Sequence, residues 1–167
     1  APQQEHPVDN PTLPVDYTGR PKILLVEDNN DFRHYLQEEL RRHFVVFEAS
    51  DGEEGEAVAL QQKPDIIITD LMMPKMDGIE LCKRIKHNID VSHIPIILLT
   101  ASASVENEER GYKEGADAYM TKPFKWEILT ARIHNLLAQG GNNKTNSNKT
   151  PRPKPRTLPY RRPMKIF

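Results

Sequence analysis

A single cysteine, Cys82, stands among 167 residues, so no internal disulfide can form and a packed core must hold the fold. So sparing a use of thiols fits a reducing compartment. Aromatic residues make up only 7% of the chain, with one tryptophan. No apolar run approaches the roughly 20 residues that span a bilayer, and the start does not read as a signal peptide. Proline is sparse in the middle. Five of the 14 prolines lie in residues 1–21 and five in 151–163, leaving Pro64, Pro74, Pro95 and Pro123 between them. That crowding reads as extended flanks around a compact centre. The expected organisation is a Pro-rich linker over 1–21, a folded domain over 22–138 and a basic Pro/Asn/Lys-rich tail or linker over 139–167. The chain begins with Ala1 rather than Met, as a fragment of a longer protein would.

The centre is also short of positive charge. The net charge of −1 hides an asymmetry, because residues 140–167 hold eight Lys or Arg and no Asp or Glu. The remainder carries 15 basic against 24 acidic residues, a balance of −9. An acidic core argues against direct nucleic-acid binding by the domain itself. The tail reads as a solvated linker, with contact to nucleic acid or an anionic surface as the other reading.

What is present is a regular alternation of apolar runs and helical periods. Ile23-Leu24-Leu25-Val26, Phe44-Val45-Val46-Phe47, Ile66-Ile67-Ile68-Thr69, Ile96-Ile97-Leu98-Leu99 and Ala118-Tyr119-Met120 are short runs suited to strands buried on both faces. Between them the spacing predicts helices over 30–42, 52–62, the segment after Asp77, 104–114 and 125–138. Gly55 weakens the second helix, Asp77 reads as the cap of the third, and Gly115 closes the fourth. The last helix is expected to bury Leu129, Ile133, Leu136 and Leu137. Five βα units in succession predict an α/β fold, a doubly wound five-stranded parallel sheet with helices on both faces.

Ligands of such sheets bind beyond the carboxyl ends of the strands. Glu27 and Asp28 follow the first strand, Asp70 ends the third, Thr100 ends the fourth and Lys122 follows the fifth. Three converging acids repel one another unless a cation intervenes. A shallow, oxygen-only site suits hydrated Mg²⁺ better than caged Ca²⁺. A lysine and a hydroxyl around one carboxylate complete a setting for a phosphoryl group. Each residue alone has a plainer reading, as a cap, a turn residue or a solvated charge; five of them on one edge do not.

The segments Val26-Glu27-Asp28-Asn29, Asp70-Leu71-Met72-Met73-Pro74-Lys75-Met76-Asp77-Gly78, Leu99-Thr100-Ala101 and Tyr119-Met120-Thr121-Lys122-Pro123-Phe124 resemble the signature segments of two-component response-regulator receiver domains. The resemblance covers residues 22–138 and implies a CheY-like, flavodoxin-like (βα)5 domain. Asp70 then resembles the phosphoacceptor. Glu27 and Asp28 resemble the acidic pair that holds Mg²⁺ with Asp70 and the backbone carbonyl of Met72. Thr100 and Tyr119 resemble the switch residues, Ala101 the small residue that leaves the site open, and Lys122 the phosphate-contacting lysine. The Lys122–Pro123 bond is expected to be cis.

The function implied is a phosphorylation-dependent signalling switch. Asp70 would take a phosphoryl group from a phosphohistidine of a histidine kinase or phosphotransfer domain, and such an acceptor promotes its own phosphorylation and dephosphorylation. The change would reach the face made by the fourth helix, fifth strand and fifth helix, and thereby an output module of the parent protein. A weak homodimer through that face is a further expectation. Ala118 stands where many DNA-binding members carry a second acid that pairs with a base such as Arg132, which speaks against a charge-paired dimer. His93–Ala101 resembles receivers of hybrid sensor kinases, so the expected setting is the cytoplasm, including the cytoplasmic part of a membrane-attached hybrid kinase. The alternative is a degenerate receiver that only docks proteins. Phosphatases of the haloacid dehalogenase type need a second acid where Met72 stands, and a flavodoxin-like cofactor binder wants a phosphate loop where Glu27-Asp28 stands. No histidine has metal-ligand spacing. Cys82 reads as a packing residue and Trp126 as the anchor of the last helix.

Overall fold

A computed structural model describes residues 19–144; residues 1–18 of the linker expected over 1–21, and 145–167 of the tail expected over 139–167, lie outside the described residues. The elements alternate strictly: β1 (Lys22–Val26), α1 (Asn30–Leu40), β2 (Val45–Ala49), α2 (Gly52–Gln62), β3 (Ile66–Asp70), α3 (Gly78–Lys86), β4 (Ile96–Thr100), α4 (Val105–Lys113), β5 (Ala118–Thr121) and α5 (Trp126–Lys144). All five strands pair in parallel, in the order β2-β1-β3-β4-β5. The expected doubly wound sheet is what forms.

Continuous apolar runs work in β1, β3 and β4 because both faces of these strands are covered, whereas the edge strand β2 is only half-buried and exposes Glu48. Leu24, Val26, Ile67, Ile96 and Leu98 point to one side, where Ala59, Leu81, Cys82 and Ile85 from α2 and α3 meet them. Ile23, Leu25, Ile66, Ile68, Ile97 and Leu99 point to the other, against Leu36 and Leu40 of α1 and Leu129 and Ile133 of α5. Cys82 is fully buried, as its packing role requires, and burial pushes its thiol up to about 12. Leu136 and Leu137, expected to be buried, are only half-buried against the second cluster.

The first four helices start where a side chain can satisfy a free N–H group. Asp77 caps α3 as expected, accepting from the Glu80 N–H at 2.8 Å. Asn29 caps α1 through the Phe32 N–H, Asp51 caps α2 through the Glu54 N–H, and Ser104 caps α4 through the Asn107 N–H. Gly115 follows α4 with φ +101, the left-handed conformation that makes glycine the natural terminator. Gly55 is in α2 for a packing reason. A Cβ there would lie 3.0 Å from Val26 and 3.3 Å from Leu81, so the helix could not sit as close to the sheet.

Several boundaries differ from expectation, among them α1, which ends at Leu40 rather than 42, and two have a physical reason. The second strand starts at Val45, because Phe44 still accepts a helical position, its N–H donating to Leu40 O. The last helix runs past 138 to Lys144, through Gly140 and Gly141. Adding a residue to an existing helix gains a hydrogen bond for each one fixed, so the glycine cost of about 1 kcal/mol each does not stop it.

Candidate functional site

The chain order reverses between β1 and β3, which lie side by side at the middle of the sheet. The crevice beyond their carboxyl ends is where a parallel sheet leaves backbone unpaired and room for a ligand. β1 delivers Glu27 and Asp28 there, and β3 delivers Asp70 as its last residue. One carboxylate oxygen from each of the three lies within 4.8 Å of the others. Glu27 and Asp70 are buried, while Asp28 is exposed.

Lys122 reaches into this group from the loop after β5. Its ammonium donates to Glu27 Oε2 at 3.0 Å and sits 3.4 Å from Asp70 Oδ2. The Lys122–Pro123 bond is cis. Burial pushes the Glu27 carboxyl above its ordinary value; the Lys122 hydrogen bond pulls the other way and the Asp70 charge adds to the rise. One ammonium pairs with two of the three carboxyls, and an oxygen-only donor set with excess negative charge is what a hard divalent cation completes. The residues fit Mg²⁺ on that chemistry.

Thr100 is fully buried at the end of β4. Its hydroxyl donates to Ser102 O at 3.1 Å and accepts from the Ser102 N–H at 3.2 Å, so it closes its own turn instead of facing the acids. Tyr119 of β5 packs against the first core cluster, and its hydroxyl is buried with no hydrogen-bond partner among the described residues. Met72 lies in the loop after β3 with its side chain exposed. Ala101 begins the open loop after Thr100.

Three contributors had no role assigned from the sequence, although Gly78 closes a signature segment. Gly78 sits against the site floor: a Cβ there would collide with the Asp70 carbonyl oxygen and lie 3.0 Å from the Leu71 Cα. Its N–H donates to Leu71 O, which folds the β3–α3 loop back beside Asp70. Arg33 of α1 donates to the Glu27 carbonyl at 2.7 Å and to Asn30 Oδ1 at 2.7 Å, tying down the acidic loop, with Glu48 at 3.5 Å. Phe32 places its ring under the Lys122 ammonium, 4.2 Å from the centroid. The only sequence signal for Phe32 was its helical spacing with Leu36 and Leu40, which reads as core.

Residues 23–134 match the profile of the response regulator receiver domain. A histidine kinase from Formosa agariphila is 40% identical over 115 residues, which is 69% of this chain and 8% of that protein. The DNA-binding dual master transcriptional regulator RpaA of Synechocystis is 37% identical over 118 residues, 70% of this chain and 49% of that protein. The chain thus spans less than half the length of either relative. Among solved structures, the receiver domain of a sensor histidine kinase from Pseudomonas aeruginosa, with magnesium coordinated in its active-site cleft, superposes with a TM-score of 0.67. It is 30% identical, and the match covers 71% of this chain and 98% of that one. A receiver domain of a signal transduction histidine kinase from Syntrophus aciditrophicus gives a TM-score of 0.68 at 33% identity, covering 78% and 98%. Since the matched segment takes in all five strands and the acidic crevice, the chain belongs to the response regulator receiver domain family.

Proposed function

We propose that the chain is a phosphorylation switch whose acceptor is Asp70. The carrying observation is the crevice itself: three carboxylates within 4.8 Å at the switch point of the sheet, with one ammonium bound to two of them. Glu27, Asp28, Asp70 and the Met72 carbonyl would hold Mg²⁺, which when bound offsets charge on the phosphoryl oxygens.

A carboxylate oxygen of Asp70 attacks phosphorus in line, and the P–N bond of a donor phosphohistidine breaks. The electron pair leaves with the imidazole, and an acyl phosphate remains on Asp70. Lys122 balances the charge that arrives. Hydrolysis by water later frees the carboxylate. The acyl phosphate carries about −2 charge where the Asp70 carboxylate carried one, beside the acids Glu27 and Asp28. The Thr100 hydroxyl exchanges its Ser102 contact for a phosphoryl oxygen, and Tyr119 turns into the space vacated. Both motions reach the α4–β5–α5 face, which shifts between two populations.

The donor we infer is a histidine kinase or phosphotransfer domain, and the receiver of the signal is an output module of the parent protein, with a weak homodimer through α4–β5–α5 as a further contact. Kinases and transcriptional regulators among the relatives support both. The switch occupies 22–138, its last helix continuing to Lys144, between the segments 1–21 and 139–167, in the cytoplasm or in the cytoplasmic part of a membrane-attached hybrid kinase. Among the described residues no helix is long and apolar enough to cross a membrane.

Intact mass after incubation with a small phosphodonor tests the reading. One phosphoryl group should add in the presence of Mg²⁺ and none after chelation. Asp70→Asn should take none. A stable phosphoryl mass on that variant would overturn the assignment.

A further inference from the structure

Lys122 is held from two sides. Glu27 and Asp70 attract its ammonium electrostatically, but attraction alone leaves a flexible four-carbon stem many ways to satisfy it. The other side is the face of Phe32, with the ammonium 4.2 Å from the ring centroid. Phe32 is itself fixed. It is half-buried on the second core cluster, its ring meets Phe124 edge-on at 6.4 Å, and it lies 6.4 Å from the Tyr35 ring. Its backbone N–H donates to the Asn29 cap at 2.9 Å, so the residue is anchored to the acidic loop. The ring thus links the loop after β1, which carries the acids, to the loop after β5, which carries the lysine.

We propose that Phe32 is a positioning residue for phosphoryl transfer: its ring face holds the Lys122 ammonium against Glu27 and Asp70, where an incoming phosphoryl oxygen will need it. The negative face of the ring supplies a weak, directional attraction and keeps water from that side of the ammonium. Leucine at this position would keep the apolar packing and lose the ring face. Tyrosine would keep both. The inference rests on the acceptor role of Asp70 proposed above.

Two measurements on the full chain test it. The first is the rate of adduct formation on Asp70 from a small phosphodonor with saturating Mg²⁺. Phe32→Leu should slow it about three- to tenfold, and Phe32→Tyr should restore it to within twofold of the parent. The second is the proton resonances of the Lys122 ε-methylene in the metal-free chain. They should lie upfield from ring current, stay upfield in Phe32→Tyr, and move to ordinary lysine positions in Phe32→Leu. Phe44→Leu controls for lost core packing, because Phe44 is buried in the same cluster and rings with His134 at 5.8 Å. It should lower stability and leave the rate and the Lys122 resonances alone. A Phe32→Leu rate within twofold of the parent, or Phe44→Leu slowing the reaction equally, would overturn the proposal. If the parent takes no phosphoryl group, the acceptor reading fails, and the resonances decide the ring's hold on Lys122: ordinary positions in the parent overturn it.

Discussion

At the amino edge of the sheet, Asp65 accepts from the Lys22 backbone N–H at 2.8 Å, and Asp117 accepts from the Ile96 N–H at 2.9 Å and the Lys86 ammonium at 3.2 Å. Lys86 also donates to the Ile94 carbonyl at 2.7 Å. At the carboxyl edge, Glu27, Asp28 and Asp70 crowd together, and Lys122 pairs with Glu27 and Asp70. Both edges use acids beside strand ends. At the amino edge the acids meet strand N–H groups that need acceptors, so charge stabilises the fold. At the carboxyl edge they meet one another, so negative charge accumulates that a cation could offset. The same edge shows the contrast at its rim. Glu27 is pushed up by burial, whereas the Glu54 N–H holds Asp51 below its ordinary value, and the Ser50 N–H and hydroxyl hold Glu54 below its own.

The largest expected effect breaks the carboxyl edge from beneath. Gly78→Ala forces a methyl into the Asp70 carbonyl, and the loop must shift. We expect a loss of about 3 kcal/mol in urea unfolding, with a weakened Mg²⁺ response. Stability within about 0.5 kcal/mol of the parent would show that the loop yields freely.

Next comes the stored charge. Mg²⁺ at 100 times its Kd should stabilise the parent by about 2.7 kcal/mol in thermal or urea unfolding. Asp28→Ala should remove most of that gain while leaving the metal-free chain near its parent stability, since one repelling acid is gone. An unchanged Mg²⁺ shift in the variant would place the ion elsewhere.

The amino edge should respond in the opposite sense. Asp117→Ala leaves the Ile96 N–H and Lys86 without a shared acceptor, for an expected loss of about 1–2 kcal/mol. Adduct formation on Asp70 should be untouched. A slowed adduct with unchanged stability would blur the distinction between the edges.

The smallest effect concerns the rim. Unfolded, Asp51 and Glu54 titrate at their ordinary values of 3.8 and 4.5, and both are lower in the fold. Their contribution is therefore complete above about pH 4.5 and is lost as pH falls through the depressed values. Asp51→Ala should cost about 1 kcal/mol at neutral pH. It should also flatten the acid limb of stability against pH; an acid limb as steep as the parent's would mean that the cap does not carry it.

The sequence by itself determined the strands, because Ile66-Ile67-Ile68 and Ile96-Ile97-Leu98-Leu99 are apolar on both faces and can be nothing but interior. It also determined which polar residues end those strands, since Asp70 and Thr100 each stop a run. Asp77 was legible as a cap from its place before an apolar helix; Asn29, Asp51 and Ser104 sat among other polar residues and were not. Only the tertiary structure decided which ends meet. β1 and β3 are neighbours because the strand order is β2-β1-β3-β4-β5, and that order alone brings Glu27 within 3.0 Å of Lys122 across 95 residues of chain. Local patterns report burial, which depends on a residue and its near neighbours. They carry no record of crossover geometry, and so the ring of Phe32 looked like core until the fold set a lysine on its face.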